Sequence, residues 1–151
     1  MIYYFGYGTL ASSEMMEAIT GRKPEGSDFH LENYKLCIQN WNELPNHVRE
    51  ILSKKWNDNF RSYFIRPVKG KRVWGRLWSI TPEERSLISR WEFWYEPIKI
   101  RTTTTNGDKI EVEADIINSF SIGQIVDSEH YEFFLNNKEK TLKAVKQIHT
   151  L

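Results

Sequence analysis

The sequence predicts an α+β fold, with at least five mostly antiparallel strands and helices inserted between them, and three stretches carry that prediction. An apolar, aromatic run over residues 2–5 breaks at once into Gly6-Tyr7-Gly8-Thr9. Thr81-Pro82-Glu83-Glu84 is a compact helix start. Asn106-Gly107 separates two alternating runs, which is the pattern of a tight hairpin. Strands interleaved with short helices, and a clear hairpin among them, give a sheet with helices packed on it.

Taken in order, residues 2–5 form a buried strand. A helix follows, with Met15, Met16 and Ile19 on one face and Gly21 placed to stop it. Residues 31–39 alternate as a strand. Residues 45–56 place Val48, Ile51, Leu52 and Trp56 at helical spacing with charges between them, and Asn57-Asp58-Asn59 supplies a turn. Residues 62–68 and 73–80 read as two further strands, joined as a hairpin through Lys69-Gly70-Lys71. At the next helix Thr81 caps, Pro82 sits where its missing N–H does no harm, and Glu84 completes a capping box. Leu87, Ile88 and Trp91 then face inward over about three turns. Residues 98–101 and 110–116 make the hairpin. Ser128 caps a final helix bearing Phe134, Leu142, Val145 and Ile148, with Asn136-Asn137 as a weak point.

The chain has 151 residues, the length of a single domain with one sizeable core. A net charge of +1 implies no nucleic-acid, membrane or acidic partner, and the basic stretch 66–74 reads as a charged hairpin loop. Six Trp, seven Tyr and eight Phe in a small domain mostly fill core, and several are also suited to line a pocket. Cys37, the single cysteine, excludes an intrachain disulfide and reads as a small strand residue. His30, His47, His130 and His149 are scattered without metal-ligand spacing, and Ser12-Ser13 lacks a nucleophile elbow. No metal or organic cofactor is expected. With no signal peptide or apolar span in view, the cytoplasm is the expected compartment.

The stretch with chemical content is Tyr4-Phe5-Gly6-Tyr7-Gly8-Thr9-Leu10. A strand that turns into a helix through glycines points backbone N–H groups outward, which suits a carboxylate or a developing oxyanion. The same glycines also serve a plain tight turn, and spacing alone does not choose between the two. The second stretch ends at Glu92, flanked by Trp91, Phe93, Trp94 and Tyr95. A carboxylate at a helix C-terminus among aromatic rings has its pKa raised toward the range of proton transfer. The alternative is an exposed glutamate on a fraying helix end, paired with Arg90 or Lys99. Glu96 competes, but Pro97 directly after it marks a solvent-facing strand entry.

Tyr4 to Leu10 resembles the opening loop of the γ-glutamylcyclotransferase-like superfamily, where an apolar first strand runs into Tyr-Gly-Ser or Tyr-Gly-Thr. Trp74-Gly75-Arg76-Leu77-Trp78-Ser79-Ile80-Thr81, the helix after it and Trp91-Glu92 resemble that family's second motif, Val-x-Gly-x-Leu-Tyr-x-Ile and then Leu-Asp-x-x-Glu. The resemblance implies a barrel-like, mostly antiparallel sheet and no cofactor. It also implies a small γ-glutamyl substrate that closes on itself to 5-oxoproline and releases an amine or amino acid. Glu92 takes the catalytic position, as base and then acid, and Tyr7, Gly8, Thr9 and Leu10 take the substrate-binding loop. The departures are Ser89 at the Asp position, Phe93 where Gly is common, a longer segment 40–59, and Asn118 near an aromatic position. A fold that binds such a compound without turning it over is the alternative these departures raise.

Overall fold

The structure, a computed structural model, describes residues 1–117, 124–125 and 139–143. Its strands are β1 (Ile2–Gly6), β2 (Glu25–Asn40), β3 (Arg61–Ile80), β4 (Glu96–Thr103), β5 (Lys109–Ile116) and β6 (Gln124–Ile125). Its helices are α1 (Ser13–Thr20), α2 (Asn46–Leu52) and α3 (Pro82–Trp91), with 3₁₀ turns at Gly8–Ala11 and Trp41–Glu43. One sheet runs in the order β4-β5-β1-β3-β2-β6. Every pairing is antiparallel except β1 with β5, where Tyr4 lies opposite Glu113. The sheet is therefore mixed and mostly antiparallel, as expected. Among the described residues its hydrogen-bonded order has two ends, β4 and β6, so these strands do not close into a barrel.

The N-terminal strand and its helix form as the sequence indicates. Ser12 caps α1 by accepting from the Met15 N–H at 3.3 Å, and Gly21, at φ 87°, ends it. Met15, Met16 and Ile19 are fully buried in the main core. The capping box of α3 is present in both directions, Thr81 N–H to Glu84 Oε1 at 2.9 Å and Glu84 N–H to Thr81 Oγ1 at 3.2 Å. Arg22 reaches across from the end of α1 to the same Glu84 carboxylate at 2.6 Å, tying the two helices together. The β4–β5 hairpin closes through Thr104 and Asp108, with Gly107 in the turn.

The expected hairpin through Lys69-Gly70-Lys71 does not form. Residues 61–80 are one strand, and both halves pair with β2 rather than with each other. Between Glu32 and Tyr34 the register shifts, and residues 68–71 bulge opposite the single residue Asn33. Asn33 takes a left-handed conformation, φ 65°, and its Oδ1 accepts the Gly70 N–H at 3.1 Å. Asparagine tolerates that conformation because its short side chain can bond locally, and bulges of this kind let a long ribbon bend without breaking. The polar run that reads as a loop is the bulge itself. Strand β2 also begins at Glu25, earlier than residue 31, because Gly26 lies flat against the Trp78 ring. The helix expected over 45–56 is the shorter α2. Val48 is buried, Ile51 is exposed, and Trp56 packs back on Phe60 after the helix has ended. The turn at Asn57 is present, with Phe60 N–H bonded to Asn57 O at 2.9 Å.

Cys37 is a buried strand residue whose thiol pKa is pushed up by burial, in keeping with a packing role. Asn118, Ser128, Phe134, Val145 and Ile148 lie outside the described residues. Residues 139–143 are helical, and Leu142 packs on the main core. Among the described residues no helix is long and apolar enough to cross a membrane.

Candidate active site

The site is built where β1, the turn after it, the end of α3 and the end of β5 meet. Strand β1 is central, between β3 and β5, so what leaves its C-terminal end is held on both sides. Gly6 is required there by close approach: a Cβ would lie 2.2 Å from the Leu10 carbonyl oxygen and 2.8 Å from Trp78 Nε1. That indole N–H donates to the same Leu10 oxygen at 2.8 Å and pins the turn to β3. Gly8, at φ 58°, sits against Tyr63, and the chain continues as a 3₁₀ turn rather than running directly into the α-helix.

The four loop residues are placed differently from one another. Leu10 is buried, and its N–H donates to the Tyr7 carbonyl at 3.1 Å, so it is used inside the turn. Among the described residues no protein acceptor is found for the N–H groups of Gly8 and Thr9. Tyr7 is buried, with its ring 6.0 Å from that of Phe5 and its hydroxyl donating to the Asp115 carbonyl oxygen at 2.5 Å. The motif turn is thereby fastened to β5.

Glu92 is the C-cap of α3. Its N–H bonds the Ile88 carbonyl at 2.9 Å, and its own carbonyl accepts from the Tyr95 N–H at 2.9 Å, so this helix end does not fray. Of the two cations that an exposed glutamate could pair with, Lys99 lies 4.0 Å from Glu111. Among the described residues the Glu92 side chain makes no hydrogen bond or ion pair. Burial raises its pKa well above the ordinary carboxylate value, the negative charge of Asp115 adds to this, and the Arg85 guanidinium partly offsets it. The Glu92 charge is felt by three phenols, the buried Tyr4 and Tyr7 and the partly buried Tyr95, which come from β1, its turn and the segment after α3. Tyr95 is itself fixed: its hydroxyl donates to the Tyr63 carbonyl, leaving Ser62 Oγ to donate to it at 2.5 Å.

A second cluster stands behind this one, and sequence reasoning missed it. Arg85, on α3, points its guanidinium at β5. Its Nη2 lies 2.7 Å from Asp115 Oδ1, its Nη1 3.2 Å from Asp115 Oδ2, and its Nε 2.9 Å from Glu113 Oε1. The same Nη1 donates to Ser89 Oγ at 3.2 Å, and the cation lies 4.9 Å from the Tyr4 ring centre. Asp115 also accepts from the Tyr4 hydroxyl at 2.8 Å. One signal was available: Arg85, Ser89 and Glu92 share one helical face, whereas Asp115 continues the charged positions 109, 111 and 113 of an alternating strand and does not stand out. Ser89, at the position where the resembled motif carries Asp, thus serves Arg85. Phe93 is partly exposed and stacks edge-on against Trp94, with ring centres 4.8 Å apart. Among the described residues no group of three His, Cys, Asp or Glu is placed to hold a metal.

Solved structures place this architecture among known folds. The chain superposes with a TM-score of 0.63 on an uncharacterized protein from Homo sapiens, at 17% identity over 99% of this chain and 87% of that one. A γ-glutamyl cyclotransferase superposes equally well, with a TM-score of 0.63, 16% identity and the same coverage of 99% and 87%. A solution structure from Arabidopsis thaliana gives 0.58 at 18% identity, over 97% and 89%. No protein-family profile and no curated protein sequence matches the chain. The fold is that of γ-glutamyl cyclotransferase, and the resemblance carried by Tyr4–Leu10 and Trp74–Glu92 holds at that level.

Proposed function

We propose that this protein is a γ-glutamylcyclotransferase-type enzyme, releasing 5-oxoproline and an amine or amino acid from a small γ-glutamyl compound. The observation that carries the reading is Glu92, the C-cap of α3: a carboxyl group whose pKa burial raises and whose charge is felt by Tyr7 of the motif turn. The α-amine of a γ-glutamyl group is an ammonium ion at neutral pH and must lose a proton before it can attack. A carboxylate with a raised pKa is matched to that transfer. The freed amine adds to the γ-carbonyl carbon and closes a five-membered ring. The N–H groups of Gly8 and Thr9, for which no acceptor is found among the described residues, are assigned the task of holding the oxyanion or the substrate carboxylate. Glu92 then passes its proton to the departing nitrogen, takes the surplus proton from the ring nitrogen as the C–N bond breaks, and hands it to the released amine, so that 5-oxoproline and an ammonium ion leave. The proton count closes with two transfers through one residue, which ends ionised as it began, and no metal or organic cofactor is needed. Holding amine and carbonyl in contact supplies much of the acceleration.

The test is 5-oxoproline release from a panel of γ-glutamyl compounds, read by mass spectrometry, with Glu92→Gln alongside. Product from the wild type and a loss of at least about a thousandfold in the variant is the expected result for removal of a group acting as both base and acid. Thermal stabilisation by a panel compound with no product from either protein would instead make this a non-catalytic binding module.

A further inference from the structure

Glu92 shares one face of α3 with Arg85 and Ser89, which bond each other at 3.2 Å. The charged or titratable groups coupled to it are Tyr4 and Tyr7 from β1 and its turn, Arg85 from α3, Tyr95 from the segment after α3, and Asp115 from β5. Only one of these is a cation, and Arg85 is fully committed elsewhere. Its fork grips both oxygens of Asp115, its Nε holds Glu113, and its remaining contacts go to Ser89 and the face of Tyr4. Both Arg85 and Asp115 are buried, and the grip is bidentate, the geometry that fixes a guanidinium most firmly. Asp115 also receives the Tyr4 hydroxyl on its side chain and the Tyr7 hydroxyl on its carbonyl. One residue of β5 therefore locks the nearby cation and anchors the motif turn.

We propose that Asp115 and Arg85 are positioning residues for Glu92: Asp115, with Glu113, holds the Arg85 guanidinium away from the Glu92 carboxylate and keeps that carboxylate free to act as the base. The pairing gives Glu92 a counter-ion near enough to temper its charge but not to bond it. Were Arg85 released, it would form an ion pair with Glu92, and an arginine-paired carboxylate is a poor proton acceptor at neutral pH. This inference rests on Glu92 being the general base, and its test keeps the two ideas separable.

The Glu92 carboxyl is titrated directly in the full chain, by carboxyl-carbon NMR of protein labelled at the glutamate side chain, with the signal assigned by its absence in Glu92→Gln. Asp115→Asn removes a negative neighbour and frees the cation, so the midpoint moves to lower pH. Arg85→Gln removes the cation and leaves Asp115 and Glu113, so the midpoint moves to higher pH. Each displacement is expected to be about one pH unit, a tenfold change in the protonation equilibrium. Glu113→Gln, at a partly exposed partner of the same guanidinium, moves it in the Asp115→Asn direction by less, and keeps the test open if Asp115→Asn does not fold. The acid limb of 5-oxoproline formation follows the same order. Variants that lose stability while the midpoint stays fixed, or that all move it one way, overturn the proposal and leave the pair a structural brace. Absence of product from the wild type overturns the cyclotransferase reading alone, because the carboxyl titration still reports on the pair.

Discussion

At Glu92 the requirements of chemistry and of folding oppose each other. Ionising a desolvated carboxyl beside Asp115 is costly in the folded chain and easy in the unfolded one, so its pKa is raised on folding. From the ordinary carboxylate range up to that raised value, the folded state keeps a proton that the unfolded state has released. Stability therefore falls as pH climbs through this window, and above it the ionised group penalises the fold. Glu92→Gln, which cannot ionise, is expected to melt a few degrees higher than the wild type at about pH 8 and to match it near about pH 4. Thermal unfolding against pH reads the difference; equal stability at neutral pH would mean that the carboxyl is solvated, and a more stable wild type that a cation holds it ionised. Glu92 was visible in the sequence because aromatic neighbours and a helix end are local facts. Tyr7 was visible as part of a glycine turn. The partners of Arg85 were not, since Glu113 and Asp115 follow it by about thirty residues and meet it only after α3 has docked on β5.

At the scale of elements, the ends of helices were legible and the length of strands was not. Thr81, Pro82 and Glu84 specify the start of α3 through bonds that span three residues, so composition suffices. The β2–β3 ribbon is different. Lys69-Gly70-Lys71 has the composition of a turn, but whether it turns depends on what lies opposite, and opposite it Asn33 adopts a left-handed backbone and takes the Gly70 N–H. The bulge is expected to need that asparagine. Asn33→Ala places a Cβ-bearing residue without a bonding side chain in the left-handed region and removes the acceptor, for a cost of about 1 kcal/mol at this exposed site. Asn33→Gly loses the bond but relieves the backbone, so it should recover most of that cost. Urea denaturation of the two variants separates the terms. Equal losses would show that the backbone conformation at Asn33 contributes nothing.

At the scale of the whole molecule, function depends on a pairing that no local pattern announces: β1 runs parallel to β5, a strand more than a hundred residues later in the chain. That pairing brings Asp115 to Tyr4 and Tyr7, and through Arg85 to the end of α3. The attachment is slender. Strands β2 and β3 pair along nearly their full lengths, whereas the β4–β5 hairpin joins the sheet at the single register pair Tyr4–Glu113 and is otherwise held by packing, notably of Val112 and Ala114, by the Tyr4 and Tyr7 hydroxyls on Asp115, and by the Arg85 ion pairs. The hairpin should therefore open at lower free energy than the ribbon, and its amides should exchange first in native-state hydrogen exchange. Val112→Ala leaves a cavity under β5 and is expected to cost about 2 kcal/mol. Because that loss falls on the strand carrying Asp115, it should lower 5-oxoproline formation at temperatures where circular dichroism still reports a folded sheet. An equal loss of stability placed in the ribbon, by the matching substitution Val73→Ala at a fully buried β3 residue, should leave activity intact at those temperatures. Matched loss in both would mean that the molecule opens as one unit and that the hairpin has no separate hold on the site.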